Sequence, residues 1–194
     1  SNGGHNGRYT GSIYSGFIGH YVQGLYDRQA NARAFAEKFK EYADDYSKIE
    51  SEIKEATGNK LVDEAQKYVG KLPYRWGKNS LVTGTDCSGF VKLLFQKIYH
   101  VSLPRNSAVQ SKSSMLKDIT QSVASSLDLS KLKVGDLVFY SSSSSKSNVF
   151  HVAIYCGNGQ IVHEANTEHG CKYSNIKSGG GSENNTVFVR RYAK

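Results

Sequence analysis

Asp86-Cys87-Ser88-Gly89-Phe90-Val91, running on through Lys92 to His100, is the stretch from which the fold is read. Phe90, Val91, Leu94, Phe95 and Ile98 recur at helical spacing, and Asp86 is a residue type that caps a helix start. The pattern predicts a helix with Cys87 in its first turn. A thiol there feels unpaired amides and the positive end of the helix dipole, which favour the thiolate a nucleophile needs. The alternative is a small buried hydrophobe, the commoner fate of a cysteine.

Working upstream, Lys71 to Thr85 reads as a loop (Pro73, Tyr74, Trp76, Gly77, Gly84) that delivers the chain to Cys87. Before it, Leu61, Val62, Ala65, Tyr68 and Val69 share a helix face that stops at Gly70. From Leu25 to Thr57 an a/d seam of Phe35, Phe39, Tyr42, Tyr46, Ile49, Ile53 and Ala56 predicts a longer helix ended by Gly58-Asn59. It suits an appended helix, a linker or a short coiled coil. Residues 1–24 are a Gly- and Tyr-rich lead without period. Ser1-Asn2-Gly3-Gly4 carries no charged-then-apolar leader and reads as a cut end from which an export signal can have been removed. The expected division is 1–57 for lead and helix, and 58–194 for the main domain.

Downstream, Leu103 to Ser107 is a turn and about 108–127 is helical or irregular. The period then changes to that of strands. Asp136 to Ser141 is one apolar run, and the serine-rich 141–147 is expected to be a mobile loop. Phe150–Cys156 and Gln160–Ala165 form a hairpin across Gly157-Asn158-Gly159, and Thr186–Tyr192 is a last strand. Helices followed by an antiparallel sheet make the class α+β.

Alternate residues of a strand share a face. A three-residue turn centred on Asn158 pairs Ala153 with His163 and puts His151 one diagonal step from His163 on the same face. Cys87 as nucleophile, His151 as base and His163 as the group that orients His151 then form a thiol–imidazole set. A zinc site from His163, His169 and Cys171, with or without Cys87, fits no common ligand spacing and leaves His151 idle. No metal or cofactor is called for.

The chain has 194 residues, with 38% hydrophobic, enough for one sizeable core. No run approaches the ~18 apolar residues of a membrane span. Of the net charge of +8, residues 1–57 hold −1 and 58–194 hold +9, so the half with the cysteine is basic. An anionic partner is implied, and the scattered lysines form no nucleic-acid arm. Three cysteines (Cys87, Cys156, Cys171) leave at least one thiol unpaired; a Cys156–Cys171 bridge is open but nothing demands it.

From about Leu61 to Tyr192, six segments in order resemble the NlpC family of bacterial cell-wall cysteine peptidases. They are Pro73-Tyr74-Arg75-Trp76-Gly77, Asp86 to Val91, Leu103 to Ser107, Gly135 to Tyr140, His151 to Tyr155 with Gly157-Asn158-Gly159, and Ile161-Val162-His163. The resemblance implies a papain-like fold, with Cys87 as nucleophile, His151 as base and His163 as third residue. It implies that Tyr74 lies over the site, that Asp86 and Ser88 help bind substrate, and that the Cys87 amide is an oxyanion donor. The implied substrate is the peptidoglycan stem peptide, cut between γ-linked D-glutamate and the diamino acid, outside the membrane in an anionic wall. Trp76 reads as a packing residue at the cleft edge or a substrate platform. Arg105 reads as a contact to substrate carboxylate or a structural ion pair. His100 reads as a helix-end cation. Lys78 departs from the family pattern, and 107–127 and the serine loop are longer than expected, so either can line a specificity groove. An amidase or acyl transferase on the same fold, or a wall-binding module without catalysis, are the other readings.

Overall fold

A computed structural model describes residues 37–44 and 59–193. The chain divides into two units, Ser1–Ala56 and Thr57–Lys194. In the first, 37–44 is a helix (α1) on which Phe39 and Tyr42 are exposed. The rest of the predicted heptad seam, and the lead, lie outside the described residues.

The second unit opens with α2 (Lys60–Gln66), capped by Asn59, whose side chain accepts from the Leu61 and Val62 amides. A two-stranded ribbon, β1 (Asn79–Ser80) with β2 (Gly84–Thr85), precedes α3 (Cys87–Tyr99). The cap of α3 is Asp86, which accepts from the Gly89 amide at 2.9 Å. His100 caps the end of the helix in the left-handed region at φ 57°. Phe90, Val91, Leu94 and Phe95 are buried, as the spacing predicts. Each contributes about 1.5–3 kcal/mol of burial. Gly89 is required at its place, because a Cβ there would overlap the Thr85 hydroxyl and crowd Asp86.

A short α4 (Ser107–Gln110) leads to an antiparallel six-stranded sheet in the order β3-β8-β4-β5-β6-β7. Its strands are β3 (Leu116–Val123), β4 (Leu137–Ser141), β5 (Val149–Gly157), β6 (Gln160–Glu164), β7 (Cys171–Asn175) and β8 (Thr186–Tyr192). The architecture is α+β. Strand β4 is buried on both faces. Leu137 and Phe139 join Val152, Ile154, Val162 and Phe188 in the cluster that receives α2 and α3. Val138 and Tyr140 join Ala153, Tyr155, Ile161, Val187 and Val189 in a second cluster on the opposite face.

Two expectations are corrected. Residues 116–123 are an edge strand, not a helical stretch, with a bulge between Asp118 and Thr120. The serine run is stitched by its own hydroxyls rather than open: the Ser143, Ser145 and Ser147 amides donate to the hydroxyls of Ser141, Ser143 and Ser145. No helix among the described residues is long and apolar enough to cross a membrane.

Candidate active site

The β5–β6 hairpin sets the histidines. Its turn is the two-residue Asn158-Gly159, with Gly157 opposite Gln160, and not a three-residue turn. A bulge at Cys156 absorbs the difference, so Ile154 faces Val162 and Tyr155 faces Ile161. That register is the one expected, with Ala153 level with His163. His151 and His163 accordingly meet, Nε2 to Nδ1, at 2.6 Å. His163 Nε2 lies 2.8 Å from the Ser174 hydroxyl on β7. Ser174 was missed in the sequence.

Cys87, at the start of α3, shares one cleft of about 400 Å³ with both histidines. Tyr74 and Phe150 line the same cleft, with Ala165, Asn166, His169, Lys172, Ser174 and the 178–181 loop beyond them. The 107–127 region and the serine run do not line it. Tyr140 braces the centre from below: its ring centroid is 5.8 Å from that of His151, and its hydroxyl donates to the Ile176 carbonyl. Gly179 and Gly180 lie so close on the Tyr140 ring that a Cβ on either would collide with it. Only glycine lets this wall approach.

Burial dominates the electrostatics of the centre. Burial pushes the Cys87 thiol up to about 11. The Val152 amide pulls it back, the Asp86 charge raises it further, and the Ser88 and Cys87 amides pull it back. The helix start therefore does not outweigh desolvation. Burial also holds His151 and His163 well below the ordinary imidazole range, and each is a neutral ring near pH 7. Tyr74 is pushed up to about 12, by burial first and then by the charges of Cys87, Asp86 and Glu164.

Asp86, Ser88 and Arg105 form one network on either side of Cys87. Arg105 donates from both Nη atoms to the two Asp86 oxygens at 2.8 Å, and to Ser88 Oγ at 3.1 Å. The Gly77 and Gly89 amides also donate to Asp86, at 2.9 Å each. Burial raises the Asp86 carboxyl, but Arg105 and the two amides outweigh it, leaving it below the usual range. Arg105 thus takes the ion-pair reading. Buried Gln110, also missed, ties this network down by donating to the Ser88 and Pro104 carbonyls at 2.9 and 2.8 Å. Trp76 is 81% exposed, contrary to its reading as a packing residue. None of Asp86, Ser88, Arg105 and Trp76 lines the cleft.

Cys87, Cys156 and Cys171 are all free, so the Cys156–Cys171 bridge does not form. Among the described residues no group of three or more His, Cys, Asp or Glu side chains is placed to hold a metal.

The model of the NlpC/P60 family matches residues 70–191. The chain is 41% identical over 120 residues to a probable endopeptidase p60 from Listeria innocua, covering 62% of this chain and 22% of that protein. It is 28% identical over 147 residues to a gamma-D-glutamyl-L-lysine dipeptidyl-peptidase of Bacillus cereus, covering 76% and 40%. Among solved structures, an NlpC/P60 family protein from Bacillus cereus superposes with a TM-score of 0.55 at 28% identity, over 69% of this chain and 39% of that one. The chain thus spans between about a fifth and two fifths of the length of these relatives.

Proposed function

The chain belongs to the NlpC/P60 family, and on that premise we propose that it is a cysteine endopeptidase of the peptidoglycan stem peptide. The bond cut is the one between γ-linked D-glutamate and the diamino acid, and the site of action is the cell wall, outside the membrane. The observation that carries this reading is the 2.6 Å contact between His151 Nε2 and His163 Nδ1 at a cleft that also holds Cys87. With Nε2 engaged, Nδ1 of His151 is the nitrogen left for the thiol. The relatives named for endopeptidase and γ-D-glutamyl peptidase activity support the substrate class.

The chemistry follows from these positions. Both thiol and ring are neutral at rest. As substrate binds, Cys87 Sγ attacks the γ-carbonyl carbon while its proton passes to His151 Nδ1. The oxyanion accepts from the Cys87 amide at the helix start. The C–N bond then breaks, the amine leaves with the proton from His151, and a thioester remains. Water, deprotonated by His151, attacks the thioester and frees the D-glutamyl product and the thiol. When His151 is an imidazolium, its Nε2–H needs an acceptor, so His163 must keep Nδ1 unprotonated and carry its proton on Nε2. Ser174 Oγ, at 2.8 Å, accepts a hydrogen bond from that Nε2–H and holds the tautomer.

The test is incubation of the chain and its Cys87→Ala variant with muropeptides, with products identified by mass. Glycan retaining L-alanyl-D-glutamate, absent with the variant, is expected. Release of an intact stem peptide would mean an amidase, and no turnover would overturn the reading. Ser174→Ala is expected to lower kcat about tenfold with little change in KM, the worth of one hydrogen bond that strengthens with charge. Ser174→Thr is expected to restore it, and an unchanged kcat in the alanine variant would remove Ser174 from the chain of hydrogen bonds.

The neutral resting pair has its own signature. Alkylation of Cys87 by iodoacetamide is expected to rise about tenfold per unit between about pH 6 and 8, tracking the thiolate fraction. A rate flat across that window would mean that thiolate and imidazolium are already formed in the free enzyme.

A further inference from the structure

The cleft wall carries an ammonium group and no carboxylate. Lys172, on β7, stands directly opposite His163 on β6, so the two side chains share a face. Lys172 lines the cleft, is half-buried, and has no ion pair or hydrogen bond among the described residues. No aspartate or glutamate lines that space. The nearby acids are engaged or turned elsewhere. Asp86 is tied to Arg105, Glu164 is buried across from Cys171, and Glu168 is exposed and does not line the cleft. His169 spends its amide and Nδ1 on Asn166 Oδ1.

The charge of Lys172 is felt at the centre, where it pushes His163 down, against positive charge on the pair. Attack by Cys87 requires positive charge on His151, in contact with His163. An unpaired ammonium at this position therefore opposes the step that the rest of the site promotes. The opposition disappears when an anion sits against it during the reaction.

We propose that Lys172 anchors a carboxylate subsite in the cleft, which a carboxylate of the substrate fills and thereby neutralises the cation beside the His151–His163 pair. The inference rests on the peptidase reading and makes the enzyme selective for acidic over amidated stem peptides. Two carboxylates of one substrate qualify: the α-carboxylate of the γ-linked D-glutamate, and a carboxylate on the leaving diamino acid segment.

The test compares the wild-type chain, Lys172→Met and Lys172→Arg on three synthetic stem peptides. One is fully acidic, one is amidated only at the D-glutamate α-carboxylate, and one only on the leaving segment. Wild type and Lys172→Arg are expected to favour the acidic peptide over one of the amidated forms by about 10- to 100-fold in kcat/KM, the range of a hydrogen bond to a charged group. Lys172→Met is expected to lose that preference, because the disfavoured amide, no longer opposed by an unneutralised ammonium, is cleaved faster than by wild type. The amidation that slows cleavage by wild type identifies the carboxylate. If wild type cleaves none of the peptides, the peptidase reading fails and this one with it. If wild type cleaves all three alike, or Lys172→Met keeps the preference, the subsite is refuted while the peptidase reading stands. Should Lys172→Met not melt cooperatively, Lys172→Gln, which keeps a long polar side chain without the charge, replaces it with the same expectation.

Discussion

Cys87→Ala and His151→Ala are each expected to lower turnover of muropeptides roughly ten-thousand-fold or more, to the level that binding and oxyanion contacts alone sustain. The argument is one of substitutes. The other two thiols cannot replace Cys87, because neither Cys156 nor Cys171 lines the cleft. Nor does His163 take over from His151, because its Nε2 stays held by Ser174 and its Nδ1 is directed at the place of the lost ring. His163→Ala is a milder change, since it removes the acceptor for His151 Nε2–H but leaves thiol and base in place. A residual rate well above that of His151→Ala is expected. Steady-state assays on the three variants, each checked for a wild-type melt, decide the order. Near-full activity in His151→Ala would displace it as the base, and equal loss in all three would mean that His163 does more than orient.

The sequence was most legible where burial and chemistry asked for the same residue. Around Cys87 the cap, the helix period and the nucleophile coincide, and α3 begins and ends within a residue of expectation. Strand β4 announced itself because both its faces are buried. The hairpin register came out as expected through a different turn, since the bulge at Cys156 restores the phase that a two-residue turn removes. Strands β3 and β7 were invisible for two physical reasons. β3 is an edge strand with only Leu116 buried, so it has no apolar face to show. In β7 the positions that would carry an apolar alternation, Lys172 and Ser174, face the cleft. A strand whose inward face serves the site reads as a polar loop. That is also why Ser174 and Lys172 escaped notice. For Trp76 the residue type left packing and substrate platform both open, and its exposure speaks only against packing.

Glu164→Gln is expected to stabilise the protein by about 3 kcal/mol near pH 7, with the gain shrinking toward pH 4. Glu164 ends β6 immediately after His163 and has no solvent exposure. Among the described residues neither carboxylate oxygen has a hydrogen-bond partner. Burial, and then the Asp86 charge, raises the carboxyl from 4.5 to about 8. The sign follows from proton uptake. Near neutral pH the folded chain holds a proton on Glu164 that the unfolded chain has released, so folding is favoured by acid. The contribution is complete below about pH 4.5 and is lost as the pH climbs toward about 8. Glutamine keeps the shape and the neutral polarity but cannot ionise, so the difference between the two chains isolates the titration. Thermal or urea unfolding of both from about pH 4 to 9 is the measurement. A widening gap as pH rises is the expected result, whereas parallel curves would mean that Glu164 is solvated in its charged form. The same titration reaches the cleft. Above about pH 8 a new negative charge appears at Glu164, and it is felt at Tyr74 on the cleft wall and at Cys171 across from it.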